Sequence, residues 1–580
     1  MRIVSSLLAC LMLAACGGPS PSPGPTSSPT PSASASPSAS PSAAVPASPK
    51  ASPSPSPSPS PDGDAARRIE SDVRFLADDL LEGREAGTRG FDIAALYVTA
   101  KFRELGIAPG GDAGSYYQTV PMVRGVRERG GSTFAIERGG KRTALAFEAD
   151  YLTRIHYTAG KASVTAPMVF VGQAVHAPEL GHDDFAGVDL TGKIAVYFGN
   201  APERFNADQR AYYASGNVKS IELVRRGAVG AIALSDPRDE AKRPWELDAR
   251  NWRRPGMRLL ETGQPVDDYP ALVGRASLRA SRTDLLFEGA RQTGAEVVER
   301  LKSGKLESFD LVGTATLATN ATLDRVESRN VVGRWAGSDP AKSAEHVVLT
   351  AHLDHIGTGA PVEGDAIHNG AIDNALGIAI MLEAARRFAA APPPQRSILF
   401  IALTAEEKGL LGADYYARNP TVARGSLVAN VNMDMPILLA PQSDVVPVGV
   451  EHSTLQRVLE RAAGELGVVL SPDPVPEETI FVRSDQYPFI KQGVPAVYLN
   501  GGIIATDGSD AKATMMRFLK SHYHLPSDEA ELAIHYPTAA RLARLNHRIG
   551  EIIANDAERP RWNDGDFFGE KFGKPASGGD

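Results

Sequence analysis

The sequence predicts an α/β protein: a mostly parallel central sheet flanked by helices, interrupted by an inserted β-rich segment. Three observations carry that expectation. Apolar runs of strand length, VVLTA (347–351), SILFIAL (397–403) and AVYL (496–499), alternate with the helical pattern IAIMLEAARRF (378–388) and a closing amphipathic stretch at about 537–554. Such alternation is the pattern of a parallel sheet covered on both faces. Between about 131 and 310 the texture changes to short β runs separated by Gly, Asp and Pro. Finally, most residues able to ligate a metal directly follow an apolar run, where open α/β sheets place their sites.

Taken in chain order, residues 1–15 read as a leader. Arg2 gives a positive start, residues 3–13 are mostly apolar, and Leu13-Ala14-Ala15-Cys16 follows at once. This resembles the lipobox of bacterial lipoproteins, which implies cleavage before Cys16, acylation of its thiol and anchoring to a membrane. Gly17 rather than Asp after Cys16 resembles an outer-membrane sorting signal, so the expected location is the bacterial cell envelope, facing the periplasm or the cell surface. Of the two cysteines, Cys10 leaves with the leader and Cys16 is lipidated, which leaves imidazole and oxygen as the available metal ligands.

Residues 16–61 are almost entirely Pro, Ser, Ala and Thr. They cannot bury a core and are expected to form a disordered tether of polyproline II character. At about 3.1 Å per residue its reach is on the order of 130 Å.

Residues 62–130 form the first part of the main domain. Helical spacing is expected over 65–82 (Ile69, Val73, Leu76, Leu80) and 91–106 (Ala94, Tyr97, Val98, Leu105). Between them, Arg84 and Arg89 in LEGREAGTRG (81–90) read as loop and cap residues. The insertion, 131–310, contains APMVFVGQAV (166–175), GKIAVYFG (192–199) and LVRRGAVGAIAL (223–234), a helix leading through Gly into a strand. His156, His176 and His182 are scattered there and read as structural or solvent-facing. The main domain resumes for 311–556, and 557–580 is a polar tail with no legible role.

A net charge of −8, a pI near 5.9 and the lack of a long basic run argue against a nucleic-acid partner. After the leader, no apolar stretch reaches the roughly 18 residues that span a bilayer. The hydrophobic fraction of 42% is ordinary for a chain with a sizeable core.

The chemistry lies in five candidate ligands, His352, Asp373, Glu407, Asp434 and His524, with Glu406 beside the third. They stand in VVLTAHLDH (347–355), NGAIDNALG (369–377), SILFIALTAEEKGLLG (397–412), VANVNMDM (428–435) and YHLPSD (523–528). A pair of zinc ions needs two imidazoles, a shared carboxylate and one further carboxylate on each metal. One carboxylate is then left for proton transfer, a role open to Glu406. Each fragment is weak alone; their conjunction points to a hydrolase with two metals.

On these motifs the chain resembles the two-zinc aminopeptidase family, which includes bacterial secreted leucyl aminopeptidases and, as larger relatives, glutamate carboxypeptidase II and the transferrin receptor. The resemblance implies that His352, Asp434 and the shared Asp373 hold one zinc ion, and Glu407, His524 and Asp373 the other. It implies Glu406 as general base, Asp354 as acceptor of the His352 ring N–H, and Tyr523 as oxyanion donor. Arg483, in FVRSDQYPFIKQGVPAVYL (481–499), falls in a segment that resembles the family's cleft lining. The insertion resembles a protease-associated domain, which in relatives shapes access to the cleft. His355, His368 and His522 read as structural, because the two coordination spheres are already filled.

Two departures stand out. Ile372-Asp373-Asn374-Ala375-Leu376-Gly377 replaces the family's Asp-Asp-Asn-Ala-Ser-Gly, which affects tuning of the shared ligand rather than its presence. The 56 residues after His524 are too few for the helical domain of the carboxypeptidase relatives. The expectation is therefore an aminopeptidase acting on peptides. A carboxypeptidase or dipeptidase, a glutaminyl cyclase and an inactive binding protein are the alternatives. Manganese or cobalt would also suit the ligand set, and the sequence leaves the oligomeric state open.

Overall fold

A computed structural model describes residues 61–476 and 479–573. The leader, Cys16 and the tether lie outside the described residues. The main sheet is built on strands β1 (Tyr117–Arg127), β2 (Phe309–Trp335), β3 (His346–His352), β4 (Ser397–Leu403), β5 (Leu427–Asn432), β6 (Asp444–Val448) and β7 (Ala496–Gly501). Their spatial order is β1-β2-β4-β3-β5-β7-β6. The four central strands, β4, β3, β5 and β7, run parallel, while β2 and β6 are antiparallel to their neighbours.

Side-chain alternation explains why these runs are apolar throughout. Val347, Leu349 and Ala351 of β3, with Ile398, Phe400 and Ala402 of β4, face one core. Val348, Leu399, Ile401 and Leu403 face the other. Helices α1 (Pro61–Leu76), α2 (Arg89–Glu104), α3 (Leu376–Ala390) and α4 (Tyr536–Asn555) pack on the first face. A strand covered on both sides has no solvent face to mark with polar residues. One buried charge in this layer is matched: Glu383 of α3 accepts two hydrogen bonds, at 2.8 and 2.9 Å, from Arg68 of α1.

The helix expected over 65–82 stops at Leu76. Glu82, Gly83 and Arg84 take positive φ, which turns the chain into a short 3-10 segment, Asp79–Arg84. The insertion and the main sheet share one strand. Residues 309–320 of β2 pair within the inserted sheet, and residues 321–331 pair with β1. The break expected near 310 falls inside this one continuous strand. Within the insertion, Lys161–Phe170, Ile194–Phe198, Gly230–Leu234 and Gly274–Leu278 form a parallel set, and their apolar faces make a separate core around Phe170 and Phe198.

The tail holds structure that its composition hides. Phe567–Phe572 is a helix, α5, and Phe568 is fully buried among Phe481, Tyr487 and His452. Lys571 pairs with Glu179 of the insertion at 2.7 Å. No helix among the described residues is long and apolar enough to cross a membrane.

Candidate metal centre

Because β3, β4 and β5 are parallel and in register, their carboxyl ends open on one edge of the sheet. His352, the last residue of β3, lies opposite Leu403 of β4. Three residues after Leu403 come Glu406 and Glu407, and two after Asn432 comes Asp434. Bends aim these side chains: Ala405, just before the glutamate pair, has φ 54°, and Met435, just after Asp434, has φ 39°. Asp373 arrives from the short turn Ala371–Ala375 ahead of α3. His524, with φ 59°, follows the helix Ala511–Ser521. Backbone in this sparsely populated region collects at functional sites.

All five predicted ligands meet. His352 Nε2 lies 2.9 Å from Asp434 Oδ1 and 3.3 Å from Asp373 Oδ1. His524 Nε2 lies 3.3 Å from Asp373 Oδ2 and 3.2 Å from Glu407 Oε2. The two oxygens of Asp373 thus face two different imidazoles. Glu406 stands at the same edge, its proton affinity raised by burial and by Glu407, Asp434 and Asp485, against the pull of His352. Burial opposes charging of the imidazoles, but the carboxylates prevail. Asp434, Glu406 and Asp373 hold His352 well above its ordinary value, and Glu407 with Asp373 pushes His524 up to about 10.

This arrangement fits a pair of divalent cations. Four carboxylates, Asp373, Glu406, Glu407 and Asp434, crowd one small volume and carry the charge that two such cations neutralise. Two groups of potential ligand atoms stand side by side, His352–Asp373–Asp434 and His355–Asp373–Glu407, and share Asp373. The donors are imidazole and carboxylate, a set suited to zinc.

The surrounding residues lock the loops. Asn374 donates to Met433 O at 3.0 Å, and its side-chain oxygen accepts from the backbone of Gly377 and Met435, each at 3.0 Å. That ties the loop of Asp373 to the loop of Asp434. Asp528 accepts the backbone N–H groups of Ile372 at 2.9 Å and Asp373 at 3.0 Å. Tyr498 donates to Asp434 O at 2.7 Å, and the Ser484 hydroxyl donates to the Asp434 carboxylate.

Asp354 acts differently from the expectation. His352 Nδ1 faces the backbone oxygen of Asp354 at 3.1 Å, so the main chain rather than the carboxylate fixes the tautomer. The carboxylate is turned toward the end of β4 and accepts from the backbone of Glu406. Burial pushes its pKa up to about 6. Tyr523 stacks on His524 with ring centroids 3.8 Å apart. Burial and the nearby Asp373, Glu407 and Glu406 keep its hydroxyl protonated, and Arg483 lies close enough to act against them.

Two residues carry more than the sequence suggested. Arg84, read as loop chemistry, is 1% exposed. It donates to the backbone oxygens of Leu353 at 2.9 Å, Asn369 at 2.5 Å and Gly370 at 3.0 Å, and to that of Leu76. Burial lowers its pKa to about 10. His355, read as structural, has its Nδ1 2.7 Å from Glu407 Oε1. Of the other histidines, His368 is buried and faces Arg254 of the insertion at 2.7 Å, which brings the inserted segment to the rim of the site. His522 faces Ser527. In the insertion, His156, His176 and His182 lie near Asp268, Asp183 and Asp184.

Residues 330–549 match peptidase family M28. Leupeptin-inactivating enzyme 1 of Streptomyces exfoliatus is 28% identical over 201 residues, covering 34% of this chain and 41% of that protein. A probable zinc metalloprotease of Pyrenophora tritici-repentis is 45% identical over 73 residues, 13% of this chain and 16% of that protein. The chain therefore spans less than half the length of either curated relative. Among solved structures, an aminopeptidase from Aneurinibacillus sp. strain AM-1 superimposes with a TM-score of 0.50 at 18% identity, covering 86% of this chain and 98% of that one. At that identity the likeness establishes the fold.

Proposed function

From the match of residues 330–549 to peptidase family M28, we propose that the chain is a zinc-dependent exopeptidase that removes N-terminal residues from peptides. The observation that carries this reading is the placement of Asp373, whose two carboxylate oxygens face His352 and His524 separately, at 3.3 Å each. His352, Asp434 and Asp373 would hold one zinc ion, and His524, Glu407 and Asp373 the second. When bound, the pair supplies Lewis-acid activation of water and of the scissile carbonyl.

The protein's own groups do the rest. Glu406, unneeded as a ligand, takes the proton of the attacking water and delivers it to the leaving amine. The Tyr523 hydroxyl, held protonated, donates to the carbonyl oxygen as negative charge builds there. Beside Asp434, a small recess lined by Met435, Ile437, Met515 and Leu519 together with Asp473 and Asn500 is the candidate position for the side chain of the N-terminal residue. The insertion, which resembles a protease-associated domain, narrows the entrance through the Arg254–His368 contact.

The test is a panel of aminoacyl chromogenic substrates set beside N-blocked peptides. Hydrolysis of leucyl and methionyl substrates that is lost on blocking the amine supports an aminopeptidase. Release of C-terminal residues from blocked peptides would make it a carboxypeptidase instead. The Cys16 anchor and the Pro/Ser-rich tether would hold the enzyme at a membrane surface. Replacing Cys16 by Ser then abolishes lipid labelling and releases the protein from the membrane fraction, and continued fractionation with membranes would refute the anchor.

A further inference from the structure

We propose that His355 is an additional protein ligand of the metal position formed by Glu407, His524 and Asp373, so that this position has four protein ligands and the other three. The inference rests on the metallopeptidase reading above and extends it to a residue outside the ligand set that the sequence implies.

Three observations carry it. The imidazole is 0% exposed, and neither ring nitrogen has a hydrogen-bond partner. A buried imidazole that makes no hydrogen bond is costly unless something else satisfies it. Its Nδ1 lies 2.7 Å from Glu407 Oε1 and 3.9 Å from Asp373 Oδ2. Yet Glu407 Oε1 is also without a hydrogen bond, so the two atoms are close but not aligned as donor and acceptor. His355, Asp373 and Glu407 each offer a ligand atom within 4.8 Å of the others, the spacing of groups that share one cation. The His524 ring completes the set, with its centroid 5.9 Å from that of His355.

The backbone makes room for this ring. Gly370 has φ 61°, and a Cβ there would stand 2.6 Å from both Cγ and Cδ2 of His355. The backbone N–H of His355 reaches Arg84 O at 3.3 Å, and the Arg84 guanidinium holds Leu353, Asn369 and Gly370 around it. His355 is therefore fixed at the position by the same residue that fixes the ligand loops.

The consequence is an unequal pair. A zinc ion with four protein ligands has a closed sphere, as in structural sites, whereas three ligands leave a position open to water or substrate. The position with His355, Glu407, His524 and Asp373 should hold its ion tightly. The position with His352, Asp434 and Asp373 should exchange its ion and offer the open coordination site.

The experiment follows zinc rather than turnover, on the purified full chain. Zinc stoichiometry and the kinetics of zinc removal by a chelator are compared for the wild type and His355→Phe, which fills the ring volume without a donor nitrogen. X-ray absorption on the zinc-loaded wild type counts imidazoles and does not depend on how the variant folds. The expected results are two zinc ions per wild-type chain, two-phase removal, and three imidazoles per zinc pair. In His355→Phe the slow phase should accelerate at least tenfold while the fast phase is unchanged. Two zinc ions with two imidazoles per pair, or unaltered removal from the variant, would overturn the role of His355 and leave the peptidase reading standing. A wild type that binds no zinc would overturn both.

Discussion

The carboxylate of Asp354 accepts the backbone N–H of Glu406 at 3.0 Å, so an acid at the end of β3 sets the direction of the glutamate at the end of β4. Its other oxygen faces the backbone N–H of Glu407 at 3.4 Å. Both glutamates are thus aimed by one buried group. Asp354→Asn keeps one acceptor oxygen and puts an amide NH2, which cannot accept, where the second stood. The expected outcome is an intact fold with activity or zinc affinity reduced about 10- to 100-fold, the usual effect of losing a group that orients ligands. Steady-state kinetics and zinc titration check it, and wild-type values for both would remove Asp354 from the account.

Arg84 ties together the loops that carry His352 and Asp373, and its planar fork is what lets one side chain reach several carbonyls. Arg84→Lys keeps the charge but cannot make the same set of hydrogen bonds. A buried charge left short of partners costs about 3 kcal/mol or more, so denaturant unfolding should show a loss of that order. A change below about 0.5 kcal/mol, the range of ordinary surface substitutions, would mean that Arg84 is not the organiser of these loops.

A pH-dependent contact holds the tail. His452 Nδ1 lies 2.6 Å from Asp566 Oδ2, with Asp208 and Glu451 near Nε2 and with Phe481 and Phe568 packed on the ring. Burial lowers the pKa of His452, but Asp566, Asp208 and Glu451 outweigh it and raise the group above its ordinary value. A raised folded pKa stabilises fully below the unfolded value of about 6.5. That contribution is lost as pH rises through the folded value. The melting temperature of the wild type should therefore exceed that of His452→Gln most at pH below about 6, with the gap closing as pH rises. A gap that widens with pH would contradict the assignment.

The sheet was legible because its strands are buried on both faces and carry unbroken apolar runs: 397–403 was read with the bounds that β4 has. The convergence of His352, Glu407 and Asp434 was legible because parallel strands in register bring their carboxyl ends together, so residues just past those ends must meet. What stayed hidden depends on burial. Arg84 looks like any loop arginine until its four carbonyl partners are seen. Asp354 was assigned by its spacing from His352, but spacing does not say whether a carboxylate or a carbonyl meets the ring. His355 was passed over because the spheres looked full by counting residues, and only the unpartnered nitrogens reopen the question. Phe567 and Phe568 lie in a polar, Gly-rich stretch, where a helix of only 6 residues leaves no periodicity to read.

The central claim is that the adjacent glutamates divide two tasks: Glu407 holds a metal and Glu406 moves a proton. The most direct measurement is zinc content together with turnover of an aminoacyl substrate for Glu406→Gln and Glu407→Gln. Glu406→Gln should keep about two zinc ions per chain and lose about 10²–10⁴ in kcat, the usual share of general acid–base catalysis, with KM little changed. Glu407→Gln should lose zinc from one position and regain activity only with added metal. Full turnover in Glu406→Gln, or equal loss of zinc from both variants, would contradict it.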